Sequence, residues 1–174
     1  MKREPLAFAD LNVRIHRLWN DGWFLLTAGD FASGAFNTMT VSWGSLGVMW
    51  NRPFAQVVVR PVRHTFGFTE KYDSFTLCAF PERWRDALVL LGSKSGRDGN
   101  KIAESGLTPE ASTRIAAPGF AEAGLVLECR KIYSDDIDPA RFLDPSIAVH
   151  YPQKDYHRIY FGEIVAIAAT AEYR

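Results

Sequence analysis

Apolar and polar side chains alternate strictly along residues 37–44 (NTMTVSWG): Met39, Val41 and Trp43 fall in one row, Thr38, Thr40 and Ser42 in the other. A period of two marks a β-strand. Asn37 is the one polar group in the apolar row, at its mouth. Residues 23–28, 36–43 and 55–60 are rich in β-branched and aromatic side chains and are predicted strands, with turns at 29–34 and 51–53. His64 and Phe68 lie one helical turn apart, which predicts a short helix over 64–72, followed by a strand over 74–80. Trp84, Ala87, Leu88 and Leu91 recur at i, i+3, i+4 and i+7 between Pro81 and Gly92, so residues 82–91 are predicted as a helix that Gly92 stops. A second helix is expected over 98–105, ended by Gly106. Residues 108–119 and 135–156 read as irregular, 125–133 and 158–169 as strands, and the first twenty residues as a lead-in.

Strands dominate, helices are insertions, and no strand–helix–strand unit repeats. The expected fold is mainly β: a closed or nearly closed antiparallel barrel with short helical excursions. With 174 residues and no linker or internal repeat, the chain is expected to form one domain over 1–174, its core about residues 23–168.

Composition narrows the function. Hydrophobic residues make up 47% and aromatics 13%, which excludes disorder. Twenty basic and twenty acidic side chains cancel, against a general nucleic-acid or polybasic membrane binder. Residues 31–51 carry no charge, but their hydroxyl, amide and glycine content and period of two favour a strand pair over a membrane span. The start of the chain, MKREP, is not followed by an apolar run, so the expected location is cytoplasmic. Cys78 and Cys129 sit in apolar runs and are expected as buried reduced thiols, with a disulfide as the alternative. No Cys/His spacing suggests a metal site.

Three segments carry candidate chemistry. The hydroxyl row of Thr38, Thr40 and Ser42 would let a backbone approach a flat, heteroatom-rich ligand. Residues 92–98 (GSKSGRD) place Ser93, Lys94 and Ser95 between two glycines, just before a helix start that favours anions. Residues 60–65 (RPVRHT) add Arg60, Arg63 and Thr65 at the next strand-to-helix junction. Together they suit a phosphate monoester; separately each is equally a solvated turn or an ordinary ion-paired surface. Trp43 is a candidate for an aromatic ligand or for the core. No nucleophile–base order or carboxylate pair stands out, so no catalytic residue is assigned, and in an enzyme the chemistry would belong to a cofactor.

These segments, with residues 127–130 (LECR) and 155–163 (DYHRIYFGE), resemble in order the flavoredoxin branch of the flavin reductase-like proteins. The resemblance implies an FMN-binding split β-barrel, usually a homodimer with the flavin near the subunit interface. It implies that Asn37 and Trp43 meet the isoalloxazine ring within a strand whose Thr38, Met39, Thr40 and Ser42 flank it. It places Thr65 and Lys94 at the phosphate, with Arg60, Arg63, Ser93 and Ser95 around them. Tyr160 and Phe161 match a ring-contacting aromatic. Asp155 and His157 match an acid–histidine pair, here with one residue between them. The implied activity is electron transfer through FMN, as a flavin reductase or flavoredoxin-like carrier fed by NAD(P)H or a redox protein. The alternatives are a non-catalytic flavin-binding or sensing barrel and an oligonucleotide-binding barrel, the last weakened by the neutral charge.

Overall fold

The computed structural model describes residues 2–174. Its strands are β1 (Glu4–Pro5), β2 (Phe24–Asp30), β3 (Ala35–Val41), β4 (Gly44–Met49), β5 (Arg52–Val59), β6 (Ser74–Ala79), β7 (Pro109–Glu110), β8 (Gly119–Phe120), β9 (Leu125–Asp136) and β10 (Arg158–Ala169). The α-helices are α1 (Ile15–Arg17), α2 (His64–Lys71), α3 (Arg85–Ser93) and α4 (Lys101–Ser105). One antiparallel sheet runs β3-β2-β6-β9-β10-β5-β4, with β1 on the end of β10. β3 pairs only with β2 and β4 only with β5, so the sheet curls into an open barrel with a seam between β3 and β4.

Two packed layers explain the long apolar runs. Phe24, Leu26, Met39, Val57, Phe75, Leu127 and Tyr160 fill the barrel, and Leu25, Cys78 and Val126 face outward against Leu88 and Leu91 of α3. Strands covered on both faces lose polar alternation, and β2 is buried at every position but its last. The two cysteines are free buried thiols. None of the described helices is long and apolar enough to cross a membrane.

Several boundaries differ from expectation. Residues 44–49 form a strand that two glycines disguise; Trp50 and Asn51, both at positive φ, make its hairpin turn. The helix expected to stop at Gly92 begins as a 3-10 turn at Glu82–Trp84 and continues through Gly92 to Ser93. The next helix starts at Lys101 rather than 98, because Asn100 caps it by accepting from the Ala103 N–H.

The hydroxyl row of β3 is divided in its roles. Thr38 is fully buried: its hydroxyl donates to the Leu26 carbonyl at 3.0 Å and accepts from Thr27 at 2.9 Å. Thr40 donates to the Leu88 carbonyl of α3. Thr38 and Thr40 therefore tie the strand to its neighbours, Asn37 and Met39 line one concavity, and Met39, Thr40 and Ser42 line the next.

Candidate functional site

At the Asn37 end, β3 meets the start of α2 and the loop that follows α3. Asn37 is nearly buried, and its Nδ2 donates to Thr65 Oγ1 at 2.8 Å. No side chain caps α2; the Phe66 N–H is taken by the Arg63 carbonyl at 3.0 Å, while His64 and Thr65 line this space at the positive end of the helix dipole. Gly96 closes the far wall: a Cβ there would lie 2.4 Å from Asn37 Oδ1 and 2.9 Å from His64 Cδ2. Only glycine permits that approach.

The result is a pocket of about 130 Å³ bounded by Arg63, Lys94, Arg97 and Lys101, with no carboxylate in its lining. Lys101 is buried, and its ammonium donates to the carbonyls of Leu91 at 2.7 Å and Lys94 at 3.0 Å. It therefore holds the C-terminal end of α3 and the following loop in place. Burial, then the neighbouring Arg63 charge, lowers its pKa to about 8. Arg63 donates to the Gly92 carbonyl at 2.6 Å. His64 is held below its ordinary pKa by burial and by the charges of Arg97 and Lys101. The pocket is thus electropositive and closely held, which suits an anion.

Met39 also lines a neighbouring pocket of about 190 Å³, formed with Val41, Ser42, Trp43, Arg60 and His157. Trp43 is 44% exposed, its ring 5.2 Å from His157 and 5.3 Å from His150. Arg60 binds both carboxylate oxygens of Asp155 at 2.8 Å and the His150 carbonyl at 2.7 Å, strapping residues 150–157 across this end. His157 Nδ1 lies 2.8 Å from the Tyr151 hydroxyl. Burial, reinforced by the Arg60 charge, lowers the His157 pKa to about 4, so its imidazole is neutral at neutral pH.

The structure brings together Asn37, Met39, Arg63, Thr65, Ser93, Lys94 and Ser95 in the anion pocket, and Met39, Thr40, Ser42, Trp43 and Arg60 in the aromatic one. Arg60 thereby leaves the basic group in which the sequence placed it, because Asp155 satisfies its charge. Lys94 is paired with Glu104 at 2.6 Å, and the Ser93 hydroxyl back-bonds to the Val89 carbonyl at 2.8 Å. Tyr160 and Phe161 line neither pocket. The buried Tyr160 donates to Glu70 at 2.6 Å, and Phe161 packs on Phe54 and Tyr133, at ring separations of 5.1 and 5.9 Å. Lys101 lies outside the expected segments, whereas His64, Gly96 and Arg97 lie within the two loop motifs but were not among the expected ligand residues. The one available signal was Lys101 itself, a cation at the first position of a helix, where the dipole disfavours it.

The family model described as the flavin reductase like domain matches residues 17–173. No curated protein matches the sequence. Among solved structures, the FMN-binding domain of a flavin reductases-like enzyme from Shewanella baltica superposes with a TM-score of 0.70 at 20% identity, covering 97% of this chain and 77% of that one. A flavoredoxin of Desulfovibrio vulgaris gives 0.66 at 20% identity, covering 87% and 70%. A flavin reductase described as having a split barrel domain, from Shewanella frigidimarina, gives 0.68 at 19%, covering 95% and 76%. The shared fold is the antiparallel split barrel.

Proposed function

The chain belongs to the flavin reductase like domain family, and from that premise we propose that it is an FMN-binding oxidoreductase. Its anion pocket would hold the phosphate, and its Trp43 pocket the isoalloxazine ring. The observation that carries this reading is the junction at Met39 of a carboxylate-free cationic pocket with an aromatic one.

The residues fit the group. A phosphate monoester carries about −1.5 to −2 charge at neutral pH, and four cationic residues and the N-terminus of α2 surround the pocket. Asn37 and Trp43 stand roughly 20 Å apart along the chain, room for a ribityl chain and a three-ring system. When bound, FMN supplies the electron-transfer chemistry; the protein neutralises the phosphate, orients the ring and shields it from water. NAD(P)H or a reduced redox protein would be the donor.

A homodimer is part of the same proposal. Trp50, Tyr133 and Phe161 form an edge-to-face cluster beside exposed Val48 and Met49, an apolar face of the kind that subunit interfaces cover. Two free thiols fit a reducing cytoplasm.

The test is spectroscopic. Purified protein should take up FMN and bleach anaerobically with NADH or NADPH, an acceptor screen then finding the partner. Failure to bind FMN would overturn the proposal, and equal affinity for riboflavin would overturn the phosphate assignment. Bound flavin that neither nicotinamide nor a redox protein reduces would favour a storage or sensing barrel. Light scattering at micromolar concentration checks the dimer; a monomeric mass with flavin bound would count against it.

A further inference from the structure

The outer face of α2 borders a further groove, of about 470 Å³. His64, Gly67, Phe68 and Lys71 line it at i, i+3, i+4 and i+7 of the helix, and Tyr72, the C-cap, continues the row. Arg63, His64 and Arg97 line both this groove and the anion pocket, so the two spaces meet across three side chains.

The lining combines flat rings with positive charge. His64 meets Phe68 edge-on at 5.3 Å, and Phe68 and Tyr72 lie 11° from parallel with centres 6.4 Å apart. All three rings are half-buried, and Phe68 is backed by the barrel core. Gly67 interrupts the face: a Cβ there would meet nothing within 4 Å, so the space over the helix stays open beside the rings. Arg63, Lys71 and Arg97 supply the charge, and no carboxylate lines the groove. Rings flanked by cations suit a planar base joined to a phosphate, the base stacking and the phosphate meeting the charge.

The shared wall supplies the link. Arg63 donates to the Gly92 carbonyl at 2.6 Å and Arg97 to the Val62 carbonyl at 3.3 Å, and neither is paired with a carboxylate among the described residues. A guanidinium carries five N–H donors, so both keep donors for a ligand. The anion pocket, about 130 Å³, is small. A second phosphate joined to one held there meets the same two arginines from the groove side.

We infer that the groove receives the adenosine monophosphate half of a flavin dinucleotide, so that FAD, which contains the whole of FMN, binds more tightly than FMN alone. Its base lies on Phe68 and Tyr72 over Gly67, and its phosphate lies at Arg63 and Arg97. The inference rests on the proposed flavin reading for the half it shares with FMN.

The experiment is calorimetric titration of the intact protein with FMN, FAD and ADP. FAD should bind roughly tenfold more tightly than FMN, the effect of stacking one base. Gly67→Leu puts a side chain into the open space, in a helix that favours leucine over glycine. It should bring FAD down to the affinity of FMN and leave FMN unchanged, which also reports that the variant folds. Should it fail to fold, Lys71→Glu at the exposed end of the helix should weaken FAD about fivefold and spare FMN. Equal affinity for FAD and FMN in the wild type overturns this inference alone, as does a preference for FAD that survives both variants. If neither flavin binds, the flavin reading falls. ADP then decides the groove: binding that Gly67→Leu abolishes supports a nucleotide site there, and no binding overturns it.

Discussion

Asn37 Nδ2 donates to Thr65 Oγ1 at 2.8 Å across 28 residues of sequence, joining the site face of β3 to the start of α2. Both side chains are buried, so the bond sets the position of the helix N-terminus that faces the anion pocket. Asn37→Ala should lower stability by about 1–2 kcal/mol, the loss expected when a buried hydroxyl is left without its partner. It should also weaken FMN about tenfold. Chemical denaturation and fluorescence titration check the two effects.

Gly96→Ala places a methyl group 2.4 Å from Asn37 Oδ1 and so drives the loop out of the pocket. FMN affinity should fall more than tenfold, while riboflavin, which lacks the phosphate, should bind nearly as before. Gly67→Ala is the control: nothing lies within 4 Å of a Cβ there, inside α2. It should stabilise by roughly 0.5–1 kcal/mol through helix propensity, with FMN affinity unchanged.

Lys94 and Lys101 should separate. Lys94 is half-exposed and paired with Glu104, so Lys94→Ala should change stability by less than about 1 kcal/mol. FMN binding should fall on the order of tenfold, the effect of one charge-assisted bond. Lys101→Met removes the ammonium that binds the Leu91 and Lys94 carbonyls, and should cost both stability and affinity. Wild-type affinity in both variants would move the phosphate elsewhere.

The pH dependence of binding isolates Lys101. Its pKa of about 8 in the free protein lies below the ordinary 10.5, so above pH 8 binding an anion must take up a proton. FMN affinity should be level from pH 7 to 8 and then fall, approaching tenfold per pH unit. Stability of the free protein has the opposite sign: the unfolded chain holds the proton more tightly between 8 and 10.5, so the fold gains stability through that window. Lys101→Met should abolish both trends, and riboflavin should lack the first.

His157 predicts an acid limit. Its pKa is about 4 in the fold against an ordinary 6.5, so the unfolded state binds more protons between those values. The stability of the neutral, buried imidazole is complete above 6.5 and lost progressively towards 4, by about 3 kcal/mol in total. His157→Gln should flatten that segment of a stability–pH profile.

The sequence carried the barrel because its strands alternate or run apolar, and it carried the anion pocket because glycine, serine and cations cluster in two short loops. That the hydroxyls of β3 are already bonded within the fold was not legible. Thr38 and Thr40 look like ligand donors until Leu26 and Leu88 are found to hold them. Lys101 bonds to carbonyls ten and seven residues earlier, and Arg60 to a carboxylate 95 residues later. No local spacing records such pairings. Tyr160 and Phe161 are adjacent in sequence, but neighbours on a strand point to opposite faces, one into the barrel and one towards Trp50.

Val41 and Gly44 are two residues from meeting in sequence, yet their strands are the two ends of the sheet path. The corner of Ser42 and Trp43 therefore works as a rivet across a slit cylinder. A molecule in the Trp43 pocket touches β3 and, through Val58, β5, the strand on which β4 is paired, while strands β6 and β9 at the back feel nothing directly. Loading should slow amide hydrogen exchange first along β3 and β4, the margins with one unpaired side each, and leave the back of the cylinder at its global rate.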